Sequence, residues 1–465
     1  MDPPNSNRSP PLEPARSARA TTRPSSPTAV PCRPVSIRSW LSREFVRVGI
    51  HTYAFAVLTL GANFVSGVVT ARALAPAGRG QAVAIAMLIQ NIAFIFALGC
   101  VHAVSYRYAR EPETAGTLAT TWTLIMIPLT LVAFAVGELA LPALFGSQSH
   151  HAIELARVYL PGVALVLWIE LTNGLLLGAK DYRFVNAIRF AQPALFAIAQ
   201  LLVWRIYGLT VASSLGTWMG SMLICQCVAT VRVWRNVGRF AKPNLRLGIE
   251  TVWYGVRGHG AFLANNLNQR LDLLIMPAFI TAVGLGLYTV AANVSLIVSG
   301  LALSFASVVL PAAARDPERG ARTVLGSLQA ALAIAALLAC SLFVLAHPAL
   351  RLVYGAKFGG AAPALRVLLP GTALLAGASI LVAGLYAANR PSIATGVQLA
   401  GLAVTVGGLL IFLPGHGIMV AAIVSTVSYA TVFVGSVLAY KRVAGLRWRA
   451  FMTAPAPVRA GKSVA

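Results

Sequence analysis

Between residues 265 and 272 an otherwise apolar stretch carries Asn265, Asn266, Asn268, Gln269, Arg270 and Asp272. Amides both donate and accept hydrogen bonds, carboxylates accept them, and a guanidinium presents a planar fork of donors that fits phosphate oxygens. The set suits recognition of a polar, anionic group better than bond making. On a helix, residues 265, 268 or 269, and 272 share one stripe, while Arg270 is turned away from Asp272, so a direct pair is not expected. If that helix runs from His259 to Ile280, Arg270 lies about 16 Å along it at about 1.5 Å per residue. A charge at that depth of a hydrocarbon layer costs at least about 3 kcal/mol, so it must face protein or water. Two uses are open. Arg270 can contact an anionic ligand, or Arg270 or Asp272 can pair with another helix, with Glu170 as one partner.

Glu170 and Asn173 lie one helical turn apart in a second apolar stretch. Glu170 and Asp272 are the candidates for ion or proton coupling, although satisfying a buried arginine is the preferred reading of Glu170. Arg189, Gln192 and Gln200 form a polar trace along a third stretch. Arg189 lies near its end, where it can snorkel to the interface or capture an anion at an entrance. His102 and Arg107 read as interfacial. The chain offers no phosphate-cradling loop, no metal-ligand spacing and no nucleophile with a positioned base, so no catalytic residue, metal or cofactor is expected. Five cysteines do not suggest a disulfide framework, and Cys225-Gln226-Cys227 lacks the second pair that zinc needs.

The elements that must position these residues follow from composition. Of 465 residues, 57% are hydrophobic and 11% charged, against about a quarter charged in a soluble domain. A helix needs about 20 apolar residues to cross a bilayer core of about 30 Å. The candidate spans are 48–71, 81–104, 117–141, 156–178, 186–206, 208–231, 259–280, 284–310, 323–346, 364–387, 393–413 and 417–440. The expectation is an all-α integral membrane protein of about 12 transmembrane helices. A net charge of +24 would suit nucleic acid, but the Lys and Arg residues gather in alternate connections: after spans two, four, six, eight, ten and twelve. That is the positive-inside pattern, which places both termini in the cytoplasm and excludes a nucleic-acid partner.

The division that follows is a disordered basic tail over 1–44, a six-helix bundle over 45–235, a basic cytoplasmic linker over 236–258, a second six-helix bundle over 259–441, and a basic tail over 442–465. The two bundles repeat. Phe145-Gly146, Ala156-Arg157-Val158-Tyr159-Leu160-Pro161-Gly162 and Ala164-Leu165 recur as Tyr354-Gly355, Leu365-Arg366-Val367-Leu368-Leu369-Pro370-Gly371 and Ala373-Leu374. A weaker echo joins residues 75–82 to residues 281–288. Six spans per repeat is an even number, so the bundles insert in the same direction, related by a pseudo-two-fold axis along the membrane normal.

Ala71-Arg72-Ala73-Leu74-Ala75-Pro76-Ala77-Gly78-Arg79-Gly80 resembles the Leu-Gly-Pro-x-x-Gly-x-Gly signature of polysaccharide and oligosaccharide exporters, with Ala75 where they usually have Gly. Asn265 to Asp272 with Gly286-Leu287-Tyr288-Thr289-Val290-Ala291, and Tyr354-Gly355 through Pro363-Ala364-Leu365-Arg366, resemble their seventh span and post-ninth-span segment. Over about 45–440 the chain is similar to the Wzx-like flippases of the multidrug/oligosaccharidyl-lipid/polysaccharide exporter (MOP) superfamily. The resemblance implies a MATE-like fold in the bacterial inner membrane. It also implies movement of an undecaprenyl-pyrophosphate-linked oligosaccharide for surface polysaccharide synthesis, as in lipopolysaccharide or exopolysaccharide pathways. Substrate contacts would then fall to Arg270, Asn265, Asn266, Gln269, Asp272 and Arg189. Membrane lipids and polysaccharide polymerase machinery would be partners, and an ion or proton gradient the energy source. A cation-coupled multidrug exporter of the same superfamily is the alternative. A membrane polymerase or ligase fits less well, because the outer connections are short, the longest being about 142–155 and 347–363.

Overall fold

The structure, a computed structural model, describes the backbone of residues 43–239, 241–315 and 317–452; the side chains of 43–53, 258, 261, 262, 265, 301–319, 450 and 452 fall outside the description. The expected tail over 1–44 lies almost wholly outside the described residues, as does the end of the chain from 453. From Val48 onward the chain packs as one unit.

Among the described residues, ten helical stretches are long and apolar enough to cross a membrane. The first, Ala54–Phe96, has 43 residues, about twice what one crossing needs, and holds most of the first two expected spans; the end of the second, past Phe96, falls in a turn and the next helix. It belongs to helix α1 (Arg43–Phe96), which breaks at Ala75 (φ 55°, ψ −179°) just before Pro76. Glycine occupies that backbone region freely, whereas an alanine there is strained by about 1–3 kcal/mol. The resemblance put Ala75 where related chains have Gly, and the backbone shows why Gly suits the position.

The seventh expected span is not among the ten, because its polar cluster lowers its hydropathy. Its helical part lies in α8 (Leu245–Ile275), which stops short of the expected Ile280, so Arg270 sits nearer the helix end than expected. With α1 counted twice and α8 added, the ten become the twelve expected. The others are α2 (Cys100–Arg110), α3 (Ala115–Leu144), α4 (His150–Tyr159), α5 (Gly162–Gly178), α6 (Tyr182–Tyr207), α7 (Val211–Val237), α9 (Ala282–Arg315), α10 (Pro317–Tyr354), α11 (Ala362–Ala387), α12 (Pro391–Phe412) and α13 (Gly417–Val443). The chain is an all-α, multi-pass membrane protein.

Local sequence sets the ends. Spans five and six, barely separated in hydropathy, part at Gly208 (φ 76°) and at Thr210, whose side chain and that of Ser213 cap the start of α7 reciprocally. The two segments expected as the longest outer connections are mostly helical. α3 runs to Leu144 and α4 restarts at His150, and α10 runs to Tyr354 before a 3-10 turn over Ala356–Ala361. The prolines behave differently from one another. Pro128 and Pro193 sit inside α3 and α6, and Pro277 falls in a 3-10 turn after α8. Pro161 breaks the fourth span between α4 and α5, whereas its repeat partner Pro370 lies inside an unbroken α11.

The packing order repeats between halves. In the first, α2 packs on α5, α5 on α7, α3 on α5 and α6 on α7; in the second, α9 packs on α11, α11 on α13, α10 on α11 and α12 on α13. In span numbers these are two with four, four with six, three with four and five with six, then the same pairs six spans later. The fourth and tenth spans are therefore the central helices of their bundles. The repeated Arg-Val-x-Leu-Pro-Gly motif marks the start of both.

Candidate functional site

Helix α8 carries the polar cluster, and it belongs to both halves. Asn244 caps its first turn by accepting from the Leu247 N–H at 3.2 Å, and no proline follows before Pro277. Its early turns lie on the first half. Trp122 Nε1 donates to Thr251 Oγ1 at 3.1 Å, Tyr106 stacks on Tyr254 with ring centres 4.7 Å apart, and His259 Nε2 is 3.0 Å from the Phe94 carbonyl oxygen. Its later turns pack against α12 in the second half.

The cluster separates into two sets. Asn268 and Asp272 are 4% and 5% exposed and face into the second half. Asn268 donates from Nδ2 to Gln398 Oε1 at 3.4 Å and accepts from Ser428 Oγ at 3.0 Å, and Thr405 Oγ1 donates to Ser428 Oγ at 2.8 Å. Asp272 accepts from the Tyr288 hydroxyl, from Ser425 Oγ at 3.5 Å and from the Leu273 N–H at 2.8 Å. Two hydrogen-bonded clusters thus tie α8 to the second half: Asn268 to α12 and α13, and Asp272 to α9 and α13. Asn266, Gln269 and Arg270 form the second set, all half-buried. Arg270 Nη1 donates to Asn293 Oδ1 on α9 at 3.2 Å, which leaves most of its fork open. Asn266 and Gln269 make no hydrogen bond among the described residues, so their amides can serve a ligand. The Asn265 side chain lies outside the described residues.

The charges do not pair as the sequence allowed. Neither Glu170 nor Asp272 forms an ion pair among the described residues. The positive charge that acts on Glu170 is Arg189 of α6, not Arg270. Arg189 is exposed. The rest of its polar trace fastens helices together: Gln192 Nε2 donates to Ser221 Oγ at 3.3 Å. Gln200, fully buried, accepts from Thr70 Oγ1 at 2.8 Å and donates to Ser214 Oγ at 2.7 Å. Arg107 bridges Glu111 at 2.9 Å.

Sequence reasoning missed Tyr288, Asn293, Gln398, Thr405, Ser425 and Ser428. A signal existed for some of them. A tyrosine within a span must find a partner for its hydroxyl, and Ser425 and Ser428, three residues apart, share a helical face.

Comparison with known proteins places this arrangement. Residues 165–363 match the family described as Polysaccharide biosynthesis protein. No curated protein sequence matches the chain. Among solved structures, the chain is similar to an inward-facing multidrug resistance MATE family transporter of the MOP superfamily, at 17% identity, a TM-score of 0.68, and coverage of 83% of this chain and 95% of that one. It is similar also to the lipid II flippase MurJ in an inward closed conformation, at 14% identity, a TM-score of 0.71, and coverage of 88% and 89%. An outward-facing MATE transporter of the MOP superfamily aligns at 18% identity with a TM-score of 0.59, over 86% and 96% of the two chains. The chain therefore shares the fold of these solved structures, and the match over 165–363 is consistent with the resemblance to Wzx-like polysaccharide flippases.

Proposed function

We propose that this flippase or exporter moves an undecaprenyl-pyrophosphate-linked oligosaccharide across the bacterial inner membrane by alternating access, with both termini cytoplasmic, for surface polysaccharide synthesis. The observation that carries the reading is Arg270. It is a half-buried guanidinium far along a spanning helix, held by one neutral side chain and flanked by the free amides of Asn266 and Gln269. A half-buried guanidinium held by an amide rather than a carboxylate keeps its charge for a ligand, and its fork matches pyrophosphate oxygens. Asn266 and Gln269 can bond sugar hydroxyls or further phosphate oxygens. Asp272, saturated by Tyr288 and Ser425, supports its cluster instead. Ion or proton coupling falls to Glu170 or Asp272, membrane lipids and polymerase machinery are the partners, and no step makes or breaks a bond. The match to a polysaccharide biosynthesis family supports the glycan.

The multidrug reading draws on the MATE likeness, but a cationic drug requires a free acid near the path, and Arg270 would repel it. Replacing Arg270 by Ala should abolish export at normal protein level, while Arg270→Lys keeps the charge, loses the fork and retains part of the activity. The assay measures lipid-linked repeat units on each leaflet in cells lacking the native protein. Full export by a normally abundant Arg270→Ala protein would overturn the role. Normal glycan export in a deletion strain, with new sensitivity to cationic drugs, would favour the multidrug reading.

A further inference from the structure

At the end of the bundle away from the basic connections, the two halves meet along a seam that includes a close approach of backbone to backbone. Its centre is the weaker of the two sequence echoes, in which Pro76 and Gly80 correspond to Ala282 and Gly286. The structure brings these copies together reciprocally: a Cβ added to Gly80 would overlap the Ala282 carbonyl, and one added to Gly286 would overlap the Pro76 carbonyl. Each glycine thus packs against the residue that corresponds to its own fourth predecessor, as an isologous contact about a two-fold axis requires. Glycines let two helices approach to backbone contact, where Cα–H groups rest on carbonyl oxygens.

The bonds around this crossing have the same character. Arg72 donates from Nε to the Val353 carbonyl at 2.9 Å and from Nη2 to that of Leu352 at 2.6 Å. Ser147 Oγ donates to the Ala278 carbonyl at 2.8 Å, and Gln148 Nε2 to that of Ile280 at 2.8 Å. In each case a side chain of the first half caps carbonyls at a helix end of the second. Water can replace every such bond at little cost.

We propose that the reciprocal contact of Gly80 and Gly286 is the switch that holds this end shut, and that it parts completely in the other transport state. This rests on the alternating-access reading. A Cβ at either glycine then penalises only the closed state, so Gly80→Ala or Gly286→Ala shifts the population towards opening at this end. Because one addition already breaks the symmetric contact, the double variant shifts it little further.

Closure can be read by oxidative cross-linking of Ser147→Cys with Ala278→Cys in a cysteine-free background, alongside protein level and export. The Gly80→Ala and Gly286→Ala variants should each accumulate normally, lower the cross-linking yield about tenfold and lose export. Gly220→Ala on α7, where an added Cβ meets nothing within 4 Å, should change none of these. An unchanged yield in the glycine variants overturns the proposal. Failure of those variants to accumulate does so too, since it would mean the contact is needed in every state. The underlying reading fails separately: if the cross-linked parent protein still exports, and reductant changes nothing, alternating access through this end is wrong whatever the glycines do.

Discussion

Both halves bury polar side chains between helices, but they do so in different ways. The first half uses separate neutral clasps: Gln200 between Thr70 and Ser214, Gln192 on Ser221, and Gln226, which accepts from Thr172 Oγ1 at 3.1 Å. Each is an amide matched to a hydroxyl, with little reason to rearrange. The second half gathers its polar groups into two clusters, each centred on one α8 side chain, Asn268 or Asp272, and the second includes a carboxylate. Separate clasps fix helix positions one pair at a time. A cluster centred on an ionisable group makes the helices bonded to it, here α8, α9 and α13, depend on that one group.

That contrast can be broken by substitution. The largest effect should come from Asp272→Ala, which removes the acceptor shared by Tyr288 and Ser425, leaves them only each other and opens a void; detergent-extracted protein should fall and its unfolding free energy drop by about 2–3 kcal/mol. Asp272→Asn sharpens the point, since it keeps the volume and removes the charge. If Asp272 couples export to a gradient, this variant should accumulate normally while its export no longer responds to an uncoupler. An unaltered uncoupler response would leave Asp272 a purely structural group and Glu170 the remaining acid. Gln200→Ala should cost about 1–2 kcal/mol in thermal unfolding without touching the uncoupler response, because its clasp is local. Ser425→Ala, which leaves Tyr288 on Asp272, should cost less than about 1 kcal/mol. Arg246→Ala, which breaks an i,i+4 pair with Glu250 in which the arginine side chain is 89% exposed, should produce no measurable change. A large loss there would show that surface charge on α8 matters more than either buried set.

Much of the fold was legible because hydrophobic run length records the membrane crossings directly. The repeat was legible because Arg-Val-x-Leu-Pro-Gly is improbable twice in the same place. Hydropathy could not show that α1 kinks at Ala75 on one strained residue, or that α8 begins at Leu245 rather than near His259, since where a helix bends or continues depends on what it packs against. The site was half legible. The cluster on α8 was plain, but spacing alone put Asn268 and Gln269 on one stripe when packing turns them to different surroundings. Tyr288, Asn293, Gln398, Thr405, Ser425 and Ser428 are contacts made across sequence separations of 16 to 160 residues, which local pattern does not carry.

The shared helix α8 also decides where this chain can be cut. A gene divided near 258, at the edge of the second bundle, would leave Thr251 and Tyr254 on the first fragment. The second would begin in mid-helix, with four N–H groups newly exposed. A division between Gly238 and Asn244 keeps the cap of α8 intact and leaves the second fragment with a docking arm, whose Thr251 and Tyr254 face Trp122 and Tyr106 of the first. The two pieces, made separately, would then find each other by a contact the intact protein already contains. The short stretch before Asn244 is thus the place to insert a tag, a protease site or a second start codon.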